Sequence, residues 1–241
     1  MMNFKTWIEH EFLYDQWGSS LEDVKKEKKF ALDKLLYNKK GEFESLKNEK
    51  GRIVMSMYRA PPVVTQITHA TVDYKPVGGL WYSEGFNWLR WLASDSPGWA
   101  SMFIHEIFIN ISNMCIINDQ NKRKEFEEKY GQKSNSISND RLDRSILIDW
   151  KRVCEDFHGI ECFGDGYDRS HDWQHGWDVP SGVIWNQSSL KSSRLLYAYD
   201  IRSKEFAKAS DLGIYAGKSS AIKNPLPAIA MNKHRDKYVQ K

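Results

Sequence analysis

The feature that most constrains this chain is a change of apolar spacing at Gly51. Before it, Phe4, Trp7, Ile8 and Phe12, and then Phe30, Leu32, Leu35 and Leu36, recur at helical intervals beside a strongly charged face. That pattern predicts two or three amphipathic helices within residues 4–50. After Gly51 the apolar residues come in short β-like runs bounded by turn signals. Arg52 to Tyr58 (RIVMSMY) stops before Ala60-Pro61-Pro62, and Leu80 to Ser83 (LWYS) follows a turn at Lys75-Pro76-Val77-Gly78-Gly79. Residues 102–118 read as two strands broken at Asn110-Ile111-Ser112-Asn113; Gly159 to Cys162, Val179 to Trp185 and Leu195 to Ile201 read as later strands. Helical spacing returns in Phe86 to Ala93 and in 145–157, where Ile146, Ile148, Trp150 and Val153 form the apolar set. Residues 119–143 are charged and then rich in Ser and Asn, an exposed helix and loop. Strands outnumber helices after residue 51 and no βαβ alternation runs through them, so the expected class is α+β. The expected division is an N-terminal helical extension, 1–50, and a domain over 51–241.

Composition narrows the function classes. The chain has 241 residues, 41% of them hydrophobic and 28% charged, the make-up of a globular protein and not of a disordered or membrane chain. Thirty-five basic against 32 acidic residues describes a mixed, solvated surface, so nucleic-acid binding is possible without being indicated. Cys115, Cys154 and Cys162 are odd in number and lack CxxC spacing, which points to reduced thiols in a cytoplasm and to no disulfide framework. Glu9, Glu11 and Asp15 interrupt the apolar pattern of the first residues, which argues against a signal peptide and a membrane partner. Ten tryptophans cluster around 81–99 and 173–185; aromatic walls line ligand sites, but they also fill cores.

Several motifs fail on their context. His171 and His175 are four apart, the spacing of two metal ligands on one helical face, with His158 and Cys162 as conceivable additions. Asp172, Gly176 and Pro180 oppose a sustained helix there, and no Glu stands between the histidines. Gly217-Lys218-Ser219 has the ending of a phosphate-binding loop but Leu212 where its first Gly belongs, and no GxSxG occurs. The basic tail after 217 ends without a pattern.

Taken in order, the remaining segments resemble the ADP-ribosyltransferase-like superfamily, particularly its compact bacterial and phage members. VMSMYRAPPVVTQI is similar to the family's opening strand, which ends in Arg or His, and places Arg59 in that slot. KPVGGLWYS followed by FNWLRWLA is similar to its glycine-plus-aromatic strand ending in Ser, which selects Ser83. MFIHEIFINISNMCIIND resembles the middle strand, and DFHGIECF followed by WDVPSGVIW resembles the end of the fold, with Asp178 as the acid on the late strand and Glu161 as the reserve. The likeness spans residues 52–186. It implies a split β-sheet core with flanking helices and NAD as substrate.

The resemblance also assigns roles. Breaking the ribose–nicotinamide bond develops positive charge at the sugar carbon, which a nearby carboxylate stabilises while it orients a ribose hydroxyl. That role falls to Asp178, one methylene shorter than the family's more usual Glu. Arg59 would meet a phosphate or ribose of the cofactor through its planar, charged fork. Ser83 would brace the acid or the nicotinamide ribose. Trp81, Tyr82 and Trp88 are the ring candidates for stacking on the nicotinamide or adenine, although core packing is the commoner fate of such residues. The acceptor is expected to be a macromolecule, protein or nucleic acid; Gly176 stands where many arginine-modifying relatives have a second acid. The alternative is a non-catalytic nucleotide- or partner-binding protein on the same fold, of the phage-inhibitor kind.

Overall fold

The computed structural model describes residues 21–37, 51–57, 59–69, 72–133, 137–138, 141–142, 145–200 and 202–213. In chain order the elements are α1 (Leu21–Leu36), β1 (Arg52–Ser56), β2 (Ile67–His69), β3 (Val72–Asp73), β4 (Val77–Gly78), β5 (Leu80–Glu84) and α2 (Asn87–Ser94). Then come β6 (Phe103–Ile109), β7 (Met114–Ile117), α3 (Gln120–Tyr130), β8 (Gly131–Lys133), β9 (Ile137–Ser138), β10 (Arg141–Leu142), β11 (Ile146–Asp149) and α4 (Trp150–Asp156). The chain continues through β12 (Gly159–Cys162), β13 (Ser181–Ile184), β14 (Leu190–Asp200) and β15 (Glu205–Lys208). The class is α+β, as the spacing predicts. Expected helices within 4–20 and 38–50, and the basic tail, lie outside the described residues.

One eight-stranded sheet dominates, in the order β15-β14-β6-β1-β5-β13-β12-β7. Its neighbours are antiparallel except β7 and β12, whose parallel pairing needs the long crossover that α3, β8 to β11 and α4 supply. The sheet is weakest at its middle. Strands β1 and β6 share five register pairs, whereas β1 and β5 share only Arg52↔Glu84 and Ile53↔Ser83 before they part.

A short connection shows that the sheet is also curled. Strands β6 and β7 stand five places apart, a span of ~24 Å in a flat sheet. The link from Ile109 to Met114 has five Cα steps and reaches at most ~18 Å when fully extended. The sheet therefore bends, and a twist of roughly 20–25° per strand brings β6 and β7 toward a right angle. A single apolar cluster draws Val54, Ile107 and Ile109 from one half together with Leu80, Tyr82, Met114 and Ile184 from the other, so these residues form the inner face.

The outer face carries a separate layer over each half. Helices α1 and α2 cover one, burying Ala31, Leu32, Leu35, Leu36, Leu89 and Leu92 against Ile53 and Ile104. Helix α1 thus shares its core with residues beyond 51, although the apolar pattern changes there. Its buried stripe runs through Val24, Lys28, Ala31, Leu32, Leu35 and Leu36, and Phe30, expected among its apolar set, is 59% exposed. The other half is covered by α3, α4 and the small sheet β3-β11-β8, with an aromatic core of Phe126, Tyr130, Trp150, Trp173 and Trp177.

Two expectations are corrected in this second half. Residues 145–157 are not one helix: Ile146 to Asp149 form β11, and α4 starts only at Trp150, where the Asp149 carboxylate accepts from the Arg152 N–H as an N-cap. Alternation at Ile146 and Ile148, followed by Trp150 and Val153 three apart, is a change of period inside one apolar stretch. Helix α3 is not wholly exposed either. Arg123, Phe126 and Tyr130 recur at helical spacing and are buried over the aromatic core.

Candidate functional site

Ser83 sits at the last register pair of the seam, facing Ile53 on one side and Ser181 on the other. Its buried hydroxyl donates to the Gly85 carbonyl at 2.9 Å and accepts from the Trp88 N–H at 3.3 Å. Helix α2 has no side-chain cap on Phe86, so Ser83 satisfies one of its orphan amides from the preceding strand. Gly85, at φ +53°, lets the chain turn there.

Asp178 is not on a strand. It is half-buried on the loop that enters β13, because the segment reaches the sheet only at Ser181. Two residues after it, the Pro180 carbonyl accepts from the Glu84 N–H at 3.2 Å, so Asp178 lies toward the same end of the sheet as Ser83. The Tyr167 hydroxyl holds the loop by donating to the Trp177 carbonyl at 2.7 Å. Burial pushes the Tyr167 phenol up, with the Asp178 charge adding to it against Arg169.

Arg59 is placed differently from its two expected companions. It is exposed and follows Ser56, the end of β1 opposite the pair Ile53↔Ser83. Trp81 is partly buried in the aromatic core, its ring 5.1 Å from Trp177 and its indole N–H donating to the Gly78 carbonyl at 2.9 Å. Trp88 packs against the α1–α2 core. Tyr82 is fully buried on the inner face.

A group of residues that the motifs did not assemble lies on that inner face. Arg52 donates through Nε and Nη2 to the two oxygens of Glu161, the second at 3.1 Å, and the Tyr82 hydroxyl donates to Glu161 Oε1 at 2.8 Å. Register explains the meeting: Tyr82 pairs with Gly182, and Gly182 with Glu161, so the three share one row across β5, β13 and β12. The row closes only because the middle residue has no side chain; a Cβ on Gly182 would stand 2.5 Å from the Tyr82 ring. Burial and then the Glu161 charge raise the Tyr82 phenol well above its ordinary value, so it stays a donor. For Arg52, burial works against the charged form, but the hydrogen bond and charge of Glu161 outweigh it and raise the guanidinium. The Glu161 side chain is 4% exposed and that of Arg52 28%, so the cation reaches the surface and the anion does not. The sequence signal for this group is the glycine opposite two polar residues, visible only once register is known.

The histidine pair is resolved as well. His171 Nδ1 stands 3.1 Å from Glu127 Oε1, an oxygen that accepts from the Trp173 indole at 2.8 Å, and the turn Trp173–Gly176 is too short to present two imidazoles on a helix face. Among the described residues no group of three or more His, Cys, Asp or Glu is placed to hold a metal ion. Cys115, Cys154 and Cys162 are free, and burial raises all three thiols. No helix of the described residues is long and apolar enough to cross a membrane. The seam end therefore combines a half-buried carboxylate, a cation that reaches the surface and a strand-to-helix turn. No family model matches this chain, and neither does any characterised protein or solved structure.

Proposed function

We propose that the chain is an NAD-dependent ADP-ribosyltransferase that releases nicotinamide and moves ADP-ribose to a macromolecular acceptor. The observation that supports this reading best is the parting of the sheet at the β1–β5 seam, with Ser83 on its paired end and Asp178 on the adjoining loop. It agrees with the split-sheet core that the ADP-ribosyltransferase resemblance implies. In the reaction the ribose C1′–N bond breaks and its electron pair leaves with nicotinamide. An acceptor nucleophile then bonds to C1′ and gives up its proton. Asp178 stabilises the positive charge at C1′ and holds a ribose hydroxyl. Ser83 fixes the turn beside it. Arg59, expected on the cofactor's anionic side, follows the opposite end of β1 from Ser83, and the Arg52 guanidinium at the Ser83 end is engaged by Glu161.

The test is incubation with NAD labelled in its adenylate portion together with cell lysate, comparing wild type and Asp178→Ala. Wild type should transfer label and release nicotinamide, and loss of the carboxylate should lower both at least ~100-fold, the scale of removing one electrostatic stabiliser. Absence of transfer and release by wild type rejects the enzyme. One observation favours the second reading, a nucleotide- or partner-binding protein: Glu161, the acid on the sheet itself, is already engaged by Arg52 and Tyr82. On that reading NAD binds and no nicotinamide is released.

A further inference from the structure

Arg52 and Glu161 belong to strands three places apart, β1 and β12, with β5 and β13 between them. That is ~14 Å in a flat sheet, and side chains standing off a flat sheet do not meet across it. Here they meet through two hydrogen bonds because the sheet curls, and Tyr82 reaches over Gly182 to hold the shared carboxylate from below. The contact crosses the seam at its paired end, next to Arg52↔Glu84 and Ile53↔Ser83. Beyond it β1 and β5 are no longer paired.

We propose that Arg52, Glu161 and Tyr82 are positioning residues forming a latch across the seam, which holds β1 against β5, β13 and β12 at the paired end and so fixes the end of the sheet that carries Ser83 and the Asp178 loop. The inference rests on the transferase reading for what that end of the sheet binds; the latch itself rests on register and hydrogen bonding. Arg52 is the only member of the three on the β1 side of the seam, so every contact that the latch makes across it runs through one guanidinium. Tyr82 aligns the carboxylate, and Gly182 leaves the ring its path. A buried ion pair of this kind contributes little net stability compared with a well-packed apolar substitute, whereas a fixed geometry is a use that such pairs do serve.

The experiment measures amide hydrogen exchange along β1 and β5 in the full chain for wild type, Glu161→Gln and the milder Tyr82→Phe, with nicotinamide release as a separate arm. A latch predicts that exchange at Ile53 and Ser83 rises at least ~10-fold in Glu161→Gln and less in Tyr82→Phe, while amides of β14 and α3 keep their protection. In the catalytic arm the KM for NAD rises several-fold and kcat is nearly kept, since the reacting groups are untouched. Uniform acceleration of the whole sheet, or no change at the seam, overturns the latch and leaves an ordinary ion pair. If wild type releases no nicotinamide, the transferase reading fails and the exchange result still decides the latch.

Discussion

The two halves of the sheet are built from different material. Under α1 and α2 the core is mostly aliphatic, and one helix carries a lysine into it: Lys28 is buried, its ammonium 3.3 Å from the Met102 sulfur and 4.3 Å from the centre of the Tyr199 ring. Under α3 and α4 the core is aromatic, and its indole N–H groups act as fasteners. Trp150 donates to the Asp73 carbonyl at 3.0 Å, Trp177 to Tyr74 at 3.3 Å, Trp185 to Phe157 at 2.8 Å and Trp173 to Glu127 at 2.8 Å. Each of these rings fills the core and ties down a segment that lacks a long strand of its own. The first half has the longest strand, β14, with eleven residues, and needs no such ties. Tryptophan clustering in this chain thus reports how irregular segments are held, and the aromatic residues expected to line a ligand wall are largely committed to the interior.

The largest expected effect lies in the aromatic half. Trp150→Ala removes a fully buried ring and the tie to Asp73, and should cost ~3–5 kcal/mol in denaturant unfolding. A loss below ~1 kcal/mol would show that the ring is not a fastener. Leu36→Ala on α1 should cost ~2–5 kcal/mol, because Leu36 is fully buried against the α2 side of the core. An unchanged midpoint would instead make α1 an appendage.

Lys28 sharpens the contrast through pH. Burial pushes its ammonium down from 10.5 to about 8, partly offset by the Glu27 charge. Between these values the unfolded chain keeps a proton that the folded chain has released, so stability rises with pH across that window and the penalty is fully present below it. Lys28→Met should therefore stabilise the protein at pH 7 by up to ~3 kcal/mol and flatten the rise between about pH 8 and 10.5. Equal slopes for wild type and variant would contradict a buried, strained charge. The smallest effect belongs to the exposed pair Lys29–Asp33, 2.7 Å apart one turn along α1, where Asp33→Ala should cost only ~0.3–0.5 kcal/mol and less at high salt.

What the sequence made legible follows from these materials. The strands at Arg52, Leu80, Phe103, Met114 and Gly159 and the helix after Ser83 were readable because local period and turn residues agree there. The division at Ile146–Trp150 was not, since alternating and helical apolar positions abut without a breaker and only the Asp149 cap marks the change. Phe30 shows that hydrophobicity alone does not decide burial: helix phase turns its ring to solvent and puts Lys28 inside. Of the candidate site, motif order groups Arg59, Ser83 and Asp178; Ser83 and Asp178 lie toward one end of the sheet, but Asp178 is on a loop and Arg59 follows the opposite end of β1, positions that only strand register reveals. The Arg52–Glu161–Tyr82 group was hidden because its members are 109 and 79 residues apart in sequence, joined only through register.

The most direct measurement is a structure determined with NAD bound. The account expects dinucleotide density at the Ser83 end of the β1–β5 seam, with the nicotinamide ribose against Asp178 and the turn at Ser83. Density elsewhere, with the seam end empty, would contradict it.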